Sequence, residues 1–348
     1  MKRLNLIGVL GVLGILSSSA TPALAQVVPD YDFDWVTIGD PGNRAYDGPD
    51  DQGFSRGRGS VGYAYRISRM EVTTAQWMEF VNTFSTQDDE HMRFADPVRW
   101  GASIDGTYTG PGRRWHLRTD VDKPQLIPVS GVTWREAAQF ANWLHNGKSS
   151  DFAALESGAY DTSTWGRNPD GTFSDAPHRE PGARFFIPNL DEWMKAAYYD
   201  PDGDGPGDAR WWRYPHQSDD PPVSGLPGEG ETSAGLGFGP GGFNPWDDIT
   251  LGAYVDVQSP WGLWDLSGGT REWIEDYLRD SFHRDRMTKG SWVTAGAFDF
   301  FDRVDIVQSL RPDTEDESGF RIASAVPAPS VLSLLCCVLI VSIPRRRK

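Results

Sequence analysis

Three stretches of the chain repeat apolar residues every three or four positions, which is the spacing of an amphipathic α-helix. Each stretch follows a polar residue that can cap a helix N-terminus, at Thr73, Thr133 and Asn189. The second and third caps have a glutamate three residues later, as in a capping box. The pattern predicts three helices, the first over residues 74–84 and the others beginning just after their caps.

The apolar pattern between these helices is short and interrupted. Residues 63–67 alternate apolar and polar side chains, and residues 319–323 form a second short apolar segment, so both are predicted strands. Long segments rich in Gly, Pro and Asp, at 85–127, 146–181 and 200–250, predict surface loops. Loops of this length in a compact domain are more often functional than idle.

The N-terminus has a different apolar pattern. Lys2 and Arg3 precede an apolar stretch at residues 4–16, and Ala-Leu-Ala follows at 23–25. This order is typical of a secretory signal peptide, so we expect residues 1–25 to direct export. A short buried helix is the alternative.

The chain ends in a proline-rich motif, an apolar run and a basic cluster. The apolar run, residues 331–343, is marginal in length for a transmembrane segment, and the basic cluster would stay on the cytoplasmic side. This order is similar to a PEP-CTERM sorting tail, which implies an exosortase-type sorting enzyme as partner, although alanine stands where that motif usually has glutamate. A plain membrane anchor is the alternative, and both interpretations predict tethering through residues 326–348. The sorting motif comprises Val326, Pro327, Ala328, Pro329 and Ser330.

Composition and charge narrow the class of protein. The net charge of -16 argues against nucleic acid as a partner, because phosphates would be repelled. Fifteen tryptophans beside 38 glycines and 25 prolines indicate a loop-rich fold with aromatic side chains filling its gaps. Cys336 and Cys337 are the only cysteines and both lie in the apolar tail, so no disulfide or thiol chemistry is expected in the rest of the chain.

Five ordered blocks between residues 57 and 323 resemble the formylglycine-generating enzyme, or sulfatase-modifying factor, family. The resemblance implies one α+β domain over residues 26–325, with the C-type-lectin-like, low-regularity fold and long loops of that family. The blocks are GRGSVGYAYRI (57–67), PVSGVTW (128–134), RFFIPNLDEW (184–193), WGLWDLSGGTREW (261–273) and KGSW (289–292) with the closing GFR (319–321).

The family's catalytic cysteines are missing at the matching positions. In the copper-dependent enzyme, two cysteines five residues apart bind copper, which prefers soft thiolate ligands. Those positions fall on Thr294 and Asp299. We therefore expect neither copper binding nor the usual oxidation of a substrate cysteine.

The resemblance also implies calcium. The family's site would be built from the carboxylates of Asp265 and Glu272 and the carbonyls of Gly268 and Thr270, oxygen ligands that suit Ca²⁺. An exposed polar turn is the alternative. A second family site would draw on Asn244, the Pro245 carbonyl and Asp248.

Two classes of function remain open. The first is an exported, surface-tethered module without catalysis that binds an extracellular saccharide or protein. The second is an enzyme, either an atypical formylglycine-generating oxidase or another activity in the same groove with Asp299 as acid or base. A deep cleft with converging polar groups around Thr294 would favour the enzyme, and a shallow aromatic surface would favour binding.

Overall fold

The three predicted helices are confirmed, and each has a complete capping box. The structure, a computed structural model, describes residues 28–88, 96–203, 205, 207–278 and 281–326. The first box, in which the Gln76 side chain accepts from the Thr73 N–H, was not predicted. The helices are α1 Thr74–Thr83, α2 Trp134–His145, α3 Ala153–Glu156, α4 Leu190–Tyr198, α5 Pro245–Asp248 and α6 Phe298–Phe301.

The described residues form two four-stranded sheets and two short hairpins. The first sheet has the order β1-β2-β12-β5 and is antiparallel throughout. The second has the order β10-β9-β8-β11, in which β11 runs parallel to β8. The strands are β1 Trp35–Ile38, β2 Tyr65–Ser68, β3 Ala102–Ile104, β4 Trp115–Leu117, β5 Phe185–Phe186, β6 Tyr199–Asp200, β7 Arg210–Trp211, β8 Arg271–Tyr277, β9 Arg286–Lys289, β10 Gln308–Leu310, β11 Ser318–Gly319 and β12 Ala323–Ala325.

The strand predicted at 319–323 is corrected by the structure. The segment is shared between the two sheets, because β11 pairs with β8 and β12 pairs with β2. Phe320, Arg321 and Ile322 lie between the two strands and are all fully buried. The closing segment therefore connects the sheets and carries an arginine into the interior.

Strand β8 was not predicted from the sequence. Its first five residues are all buried, so the alternation of apolar and polar positions that marks a half-buried strand is absent. Three of these five residues are charged, and a run with so many charged residues does not predict a buried strand. One of these side chains, that of Glu272, forms part of the candidate site.

The core is built largely from aromatic rings. Helix α1 packs against α2 through Trp77 and Phe140, whose ring centroids are 5.5 Å apart and nearly parallel. Phe320 meets both rings at 5.6–5.9 Å from the connection between the sheets. Each aromatic side chain of this kind buries about 150–250 Å². The high tryptophan content therefore serves the interior, where Trp134, Trp143 and Trp193 are also fully buried.

The residues Val28–Val326 form one compact unit of mixed helix and sheet. Within the described part of the chain, no helix is both long and apolar enough to cross a membrane. The predicted signal peptide and transmembrane segment lie outside the described residues. Of the sorting motif only Val326 is described, and it is exposed.

Candidate functional site

The predicted metal ligand Glu272 lies on β8 and is paired with an arginine. Its Oε1 accepts from Arg321 Nη2 at 2.7 Å, and its Oε2 accepts from Arg321 Nε at 2.7 Å. Trp193 Nε1 also donates to Oε2 at 2.8 Å. Glu272 and Arg321 are 1% and 0% exposed at their side chains, so this is a buried, bidentate ion pair.

Glu71 lies beside this pair and was not recognised as a site residue in the sequence. Its Oε1 accepts from the backbone N–H of Thr270 at 3.1 Å and from the Thr270 hydroxyl at 3.0 Å. Its Oε2 is buried and has no hydrogen-bond partner in the part of the chain that the structure describes. Burial, and then the negative charge of Glu272, raise the pKa of the Glu71 carboxyl well above its ordinary value. Only the tertiary fold brings residues 71 and 272 together.

Asp265 completes this interior group. Its backbone adopts a left-handed conformation with φ of 56°, and its Oδ2 accepts from the Gly252 N–H at 2.7 Å. Burial raises the pKa of Asp265 to about 6, while the Gly252 hydrogen bond and the charge of Arg321 oppose that rise. Glu71, Asp265, Glu272 and Arg321 are called the carboxylate cluster below.

The carboxylate cluster, as arranged, does not fit a calcium ion. Both oxygens of Glu272 already accept from Arg321, so this carboxylate would have to release the guanidinium before it could bind a cation. Among the described residues, no group of three or more His, Cys, Asp or Glu side chains is arranged to hold a metal. The predicted carbonyl ligands belong to Gly268, which has a positive φ, and to buried Thr270. A calcium ion at this loop, implied by the family resemblance, would therefore require the Glu272–Arg321 ion pair to open.

The second predicted metal group forms the N-terminus of α5. Asn244 is the cap, and its Oδ1 accepts from the Trp246 N–H at 3.2 Å. The Asn244 N–H donates to Asp248 Oδ2 at 2.7 Å, and Pro245 is the first residue of the helix. The polar groups of this turn are thus used in capping.

Thr294, which the resemblance places at the family's first cysteine position, is exposed and hydrogen-bonded at its hydroxyl. The hydroxyl donates to Glu317 Oε2 at 2.6 Å and accepts from Trp292 Nε1 at 3.0 Å. Arg99 Nη2 lies 3.6 Å from the other oxygen of Glu317. A threonine, a carboxylate and a guanidinium are therefore grouped at this surface.

Asp299, which the resemblance places at the second cysteine position, lies in α6 and is also exposed. Its backbone carbonyl accepts from the Tyr214 hydroxyl at 2.7 Å. The adjoining rings are Phe300, which is 40% exposed, and Phe301, whose centroid is 5.2 Å from that of Trp292. Thr294 and Asp299 thus lie on an aromatic surface.

A groove of about 350 Å³ adjoins the Arg99 side of this surface. Its lining includes Arg99 and Trp246, and the Arg99 guanidinium carbon is 4.8 Å from the Trp246 ring centroid. Arg99 Nε and Trp246 Nε1 are buried donors without acceptors among the described residues. Donors of this kind favour a ligand that supplies acceptor atoms. Trp292, Thr294, Glu317, Arg99 and Trp246 are called the Trp292 face below.

The profile of one protein family, described as "Sulfatase-modifying factor enzyme 1-like domain", matches residues 34–326. The chain belongs to this family. The match includes the carboxylate cluster, the Trp292 face and both positions that lack cysteine. No curated protein matches the chain.

Several solved structures are similar to this family member at low sequence identity. Treponema denticola variable protein 1 is 17% identical with a TM-score of 0.49, over 84% of this chain and 95% of that one. CarF is 18% identical with a TM-score of 0.47, over 86% of this chain and all of that one. PvdO from Pseudomonas aeruginosa is 13% identical with a TM-score of 0.39, over 88% of this chain and all of that one.

Proposed function

We propose that this family member is an exported, surface-tethered binding module, without catalytic activity, that takes an extracellular saccharide or protein on the Trp292 face. The observation that carries the proposal is the pair of buried donors without acceptors, Arg99 Nε and Trp246 Nε1, at the groove beside exposed Thr294. A ligand oxygen would satisfy these donors. Buried donors without acceptors cost free energy in the unbound protein, so a ligand that pairs them gains affinity.

The chemistry of the Trp292 face suits recognition better than oxidation. Neither Thr294 nor Asp299 offers sulfur, and the Thr294 hydroxyl is already bonded to Glu317 and Trp292. Thiolate ligation of copper is therefore unsupported at both positions. Flat indole and guanidinium groups next to a carboxylate are suited to pack on and hydrogen-bond a saccharide or a peptide.

Binding is tested by screening the full-length protein against glycan and peptide arrays. We expect Arg99→Gln to weaken binding of the selected ligand at least tenfold, because it removes the guanidinium that spans Trp246 and Glu317. The matched control is Arg167→Gln, which makes the same change of charge at an exposed arginine outside the face. Equal weakening by both variants would contradict a specific site here.

The missing catalytic activity has its own test. A sulfatase-type cysteine peptide is incubated with the protein, copper and oxygen, and its conversion is followed by mass spectrometry. We expect no formylglycine product, because the two positions of the family's cysteines hold Thr294 and Asp299. Turnover would replace the binding proposal with the oxidase alternative.

Export and tethering form the remaining part of the proposal. They rest on the signal-like residues 1–25 and the tail 326–348, with an exosortase-type enzyme as the expected partner. Fusing residues 1–26 to a reporter that is active only outside the cytoplasm should give signal, and deleting 326–348 should release the protein into the medium. Intact precursor in the cytoplasm would contradict export.

A further inference from the structure

A second cleft, of about 770 Å³, opens beside the β6–β7 hairpin, away from the residues of the Trp292 face. Its volume is within the range of about 300–1,000 Å³ that small-molecule sites occupy. Four arginines and four aspartates contribute to its lining, so the cleft has no excess of negative charge, although the protein as a whole is strongly acidic. It is called the arginine cleft below, after Arg44, Arg210, Arg213 and Arg303.

Aromatic rings form one wall of the arginine cleft. Tyr46 and Trp211 meet edge to face with ring centroids 5.8 Å apart, and the Tyr46 hydroxyl is held by the Pro49 carbonyl at 2.7 Å. Trp212 is half-buried and lies under the Arg210 guanidinium, whose central carbon is 3.7 Å from the ring centroid. Trp211 Nε1 is a buried donor without an acceptor among the described residues. The Trp212 Nε1 donates to Asp200 Oδ2 at 3.2 Å, so the wall offers aromatic rings whose other edge donors are used within the protein.

Two of the four arginines are neutralised within the cleft. Arg303 Nε lies 2.9 Å from Asp305 Oδ1 and its Nη2 lies 3.1 Å from Asp51 Oδ2. Arg210 Nη2 lies 2.6 Å from Asp219 Oδ2. These ion pairs hold the walls in place, and the aspartates balance the positive charges of Arg303 and Arg210.

Arg44 and Arg213, unlike Arg303 and Arg210, are not ion-paired with an aspartate among the described residues. Within the described part of the chain, neither has a carboxylate oxygen within ion-pair distance. Arg44 Nη2 donates to the Ala209 carbonyl at 2.6 Å, and Arg213 is exposed. Neither guanidinium therefore has an ion-pair partner of its own, and the carboxylate of an acidic ligand would supply one.

We propose that the arginine cleft binds an acidic saccharide, whose carboxylate pairs with Arg213 and Arg44 and whose ring packs on Trp212. Aromatic faces are suited to the apolar face of a sugar ring, and guanidinium groups form paired hydrogen bonds to a carboxylate. The exposed carboxylate of Asp47 in the lining can accept hydrogen bonds from sugar hydroxyls. The site goes beyond the proposed function, since none of its residues belongs to the Trp292 face.

The test compares two tetrasaccharides of equal length, tetragalacturonate and uncharged galactotetraose, by calorimetry on the full-length protein at low salt. We expect tetragalacturonate to bind at least tenfold more tightly and to weaken as salt is added, because its carboxylates carry the interaction. Inorganic phosphate is the third probe and should bind far more weakly, since it lacks the ring. Equal binding of galactotetraose, or of phosphate, would overturn the proposal.

Variants locate the site. Arg213→Gln and Arg44→Gln should each weaken tetragalacturonate binding about tenfold or more, and Trp212→Phe should retain binding that Trp212→Ala loses. Arg99→Gln on the Trp292 face is the matched control and should leave this binding unchanged, so the failure of either site is distinguishable from failure of the other. A melting curve for each variant shows that it folds. Loss in Arg99→Gln with no change in Arg213→Gln would assign the ligand to the other face and overturn the proposal.

Discussion

The carboxylate cluster and the Trp292 face contain the same hydrogen bond in opposite surroundings. In the cluster, the Thr270 hydroxyl donates to Glu71 at 3.0 Å, and both residues are buried. On the face, the exposed Thr294 hydroxyl donates to Glu317 at 2.6 Å. Water can replace the second bond but not the first. The interior carboxylates therefore serve the fold, and the exposed ones are available to a ligand.

Substitutions in the carboxylate cluster should change the free energy of unfolding more than substitutions on the Trp292 face, because three carboxyl groups share one guanidinium. Three carboxylates, Glu71, Asp265 and Glu272, lie near a single guanidinium, that of Arg321. Arg321 also donates to the carbonyls of Ser68 and Arg69 at 3.1 and 2.9 Å. One side chain thus joins the end of β2 to β8.

The largest expected effect comes from Arg321→Met. Removing one partner of a buried ion pair leaves Glu272 buried and unpaired, which costs about 3–5 kcal/mol of unfolding free energy. Urea denaturation at pH 7 measures the change. The matched control is Arg311→Met, where an exposed arginine lies 3.7 Å from Asp313 and the expected loss is at most about 1 kcal/mol. Similar losses in both variants would remove the contrast between interior and surface.

Asp265→Asn should increase stability, and the gain should depend on pH. The pKa of Asp265 is raised to about 6 in the folded protein, so the stability associated with its proton is present below pH 4 and is lost as the pH rises through 6. Asparagine keeps an acceptor for the Gly252 N–H and tolerates the left-handed backbone. We expect a gain of about 2 kcal/mol at pH 8 that vanishes near pH 4. Denaturation curves at both pH values measure it, and a gain independent of pH would contradict the assigned cause.

The two threonines provide a paired comparison. Thr270→Val removes a buried donor from Glu71 and should cost about 1–3 kcal/mol, whereas Thr294→Val should change stability by less than about 0.5 kcal/mol. Valine keeps the branched shape in both cases. Urea denaturation of the two variants side by side gives the difference. Equal effects would mean that the exposed hydrogen bond from Thr294 to Glu317 contributes as much to stability as the buried one from Thr270 to Glu71.

Calcium is expected to have the smallest effect. Because Arg321 occupies both oxygens of Glu272, the melting temperature should be the same in millimolar Ca²⁺ and in EDTA. A rise of several degrees in calcium, abolished by Glu272→Gln, would show instead that the loop releases Arg321 to bind the ion. That outcome would restore the calcium site implied by the family resemblance.

Local sequence signals determined the three longest helices among the described residues. A cap followed by a helical apolar pattern depends on neighbours within a few residues, so the helices beginning after Thr73, Thr133 and Asn189 could be predicted without the fold. The ordered blocks also identified the family, because they depend only on residue type and order.

Only the tertiary structure decided which partners the buried charged residues have. Strand β8 is buried along its first five residues and lacks the alternating pattern, so its Glu272 looked like a loop ligand in the sequence. Its partner Arg321 is 49 residues away, and Glu71 meets Thr270 across 199 residues. The protonation and pairing of a buried carboxylate depend on which cation and donors the fold brings within about 3 Å. The order of residues along the chain does not give these distances.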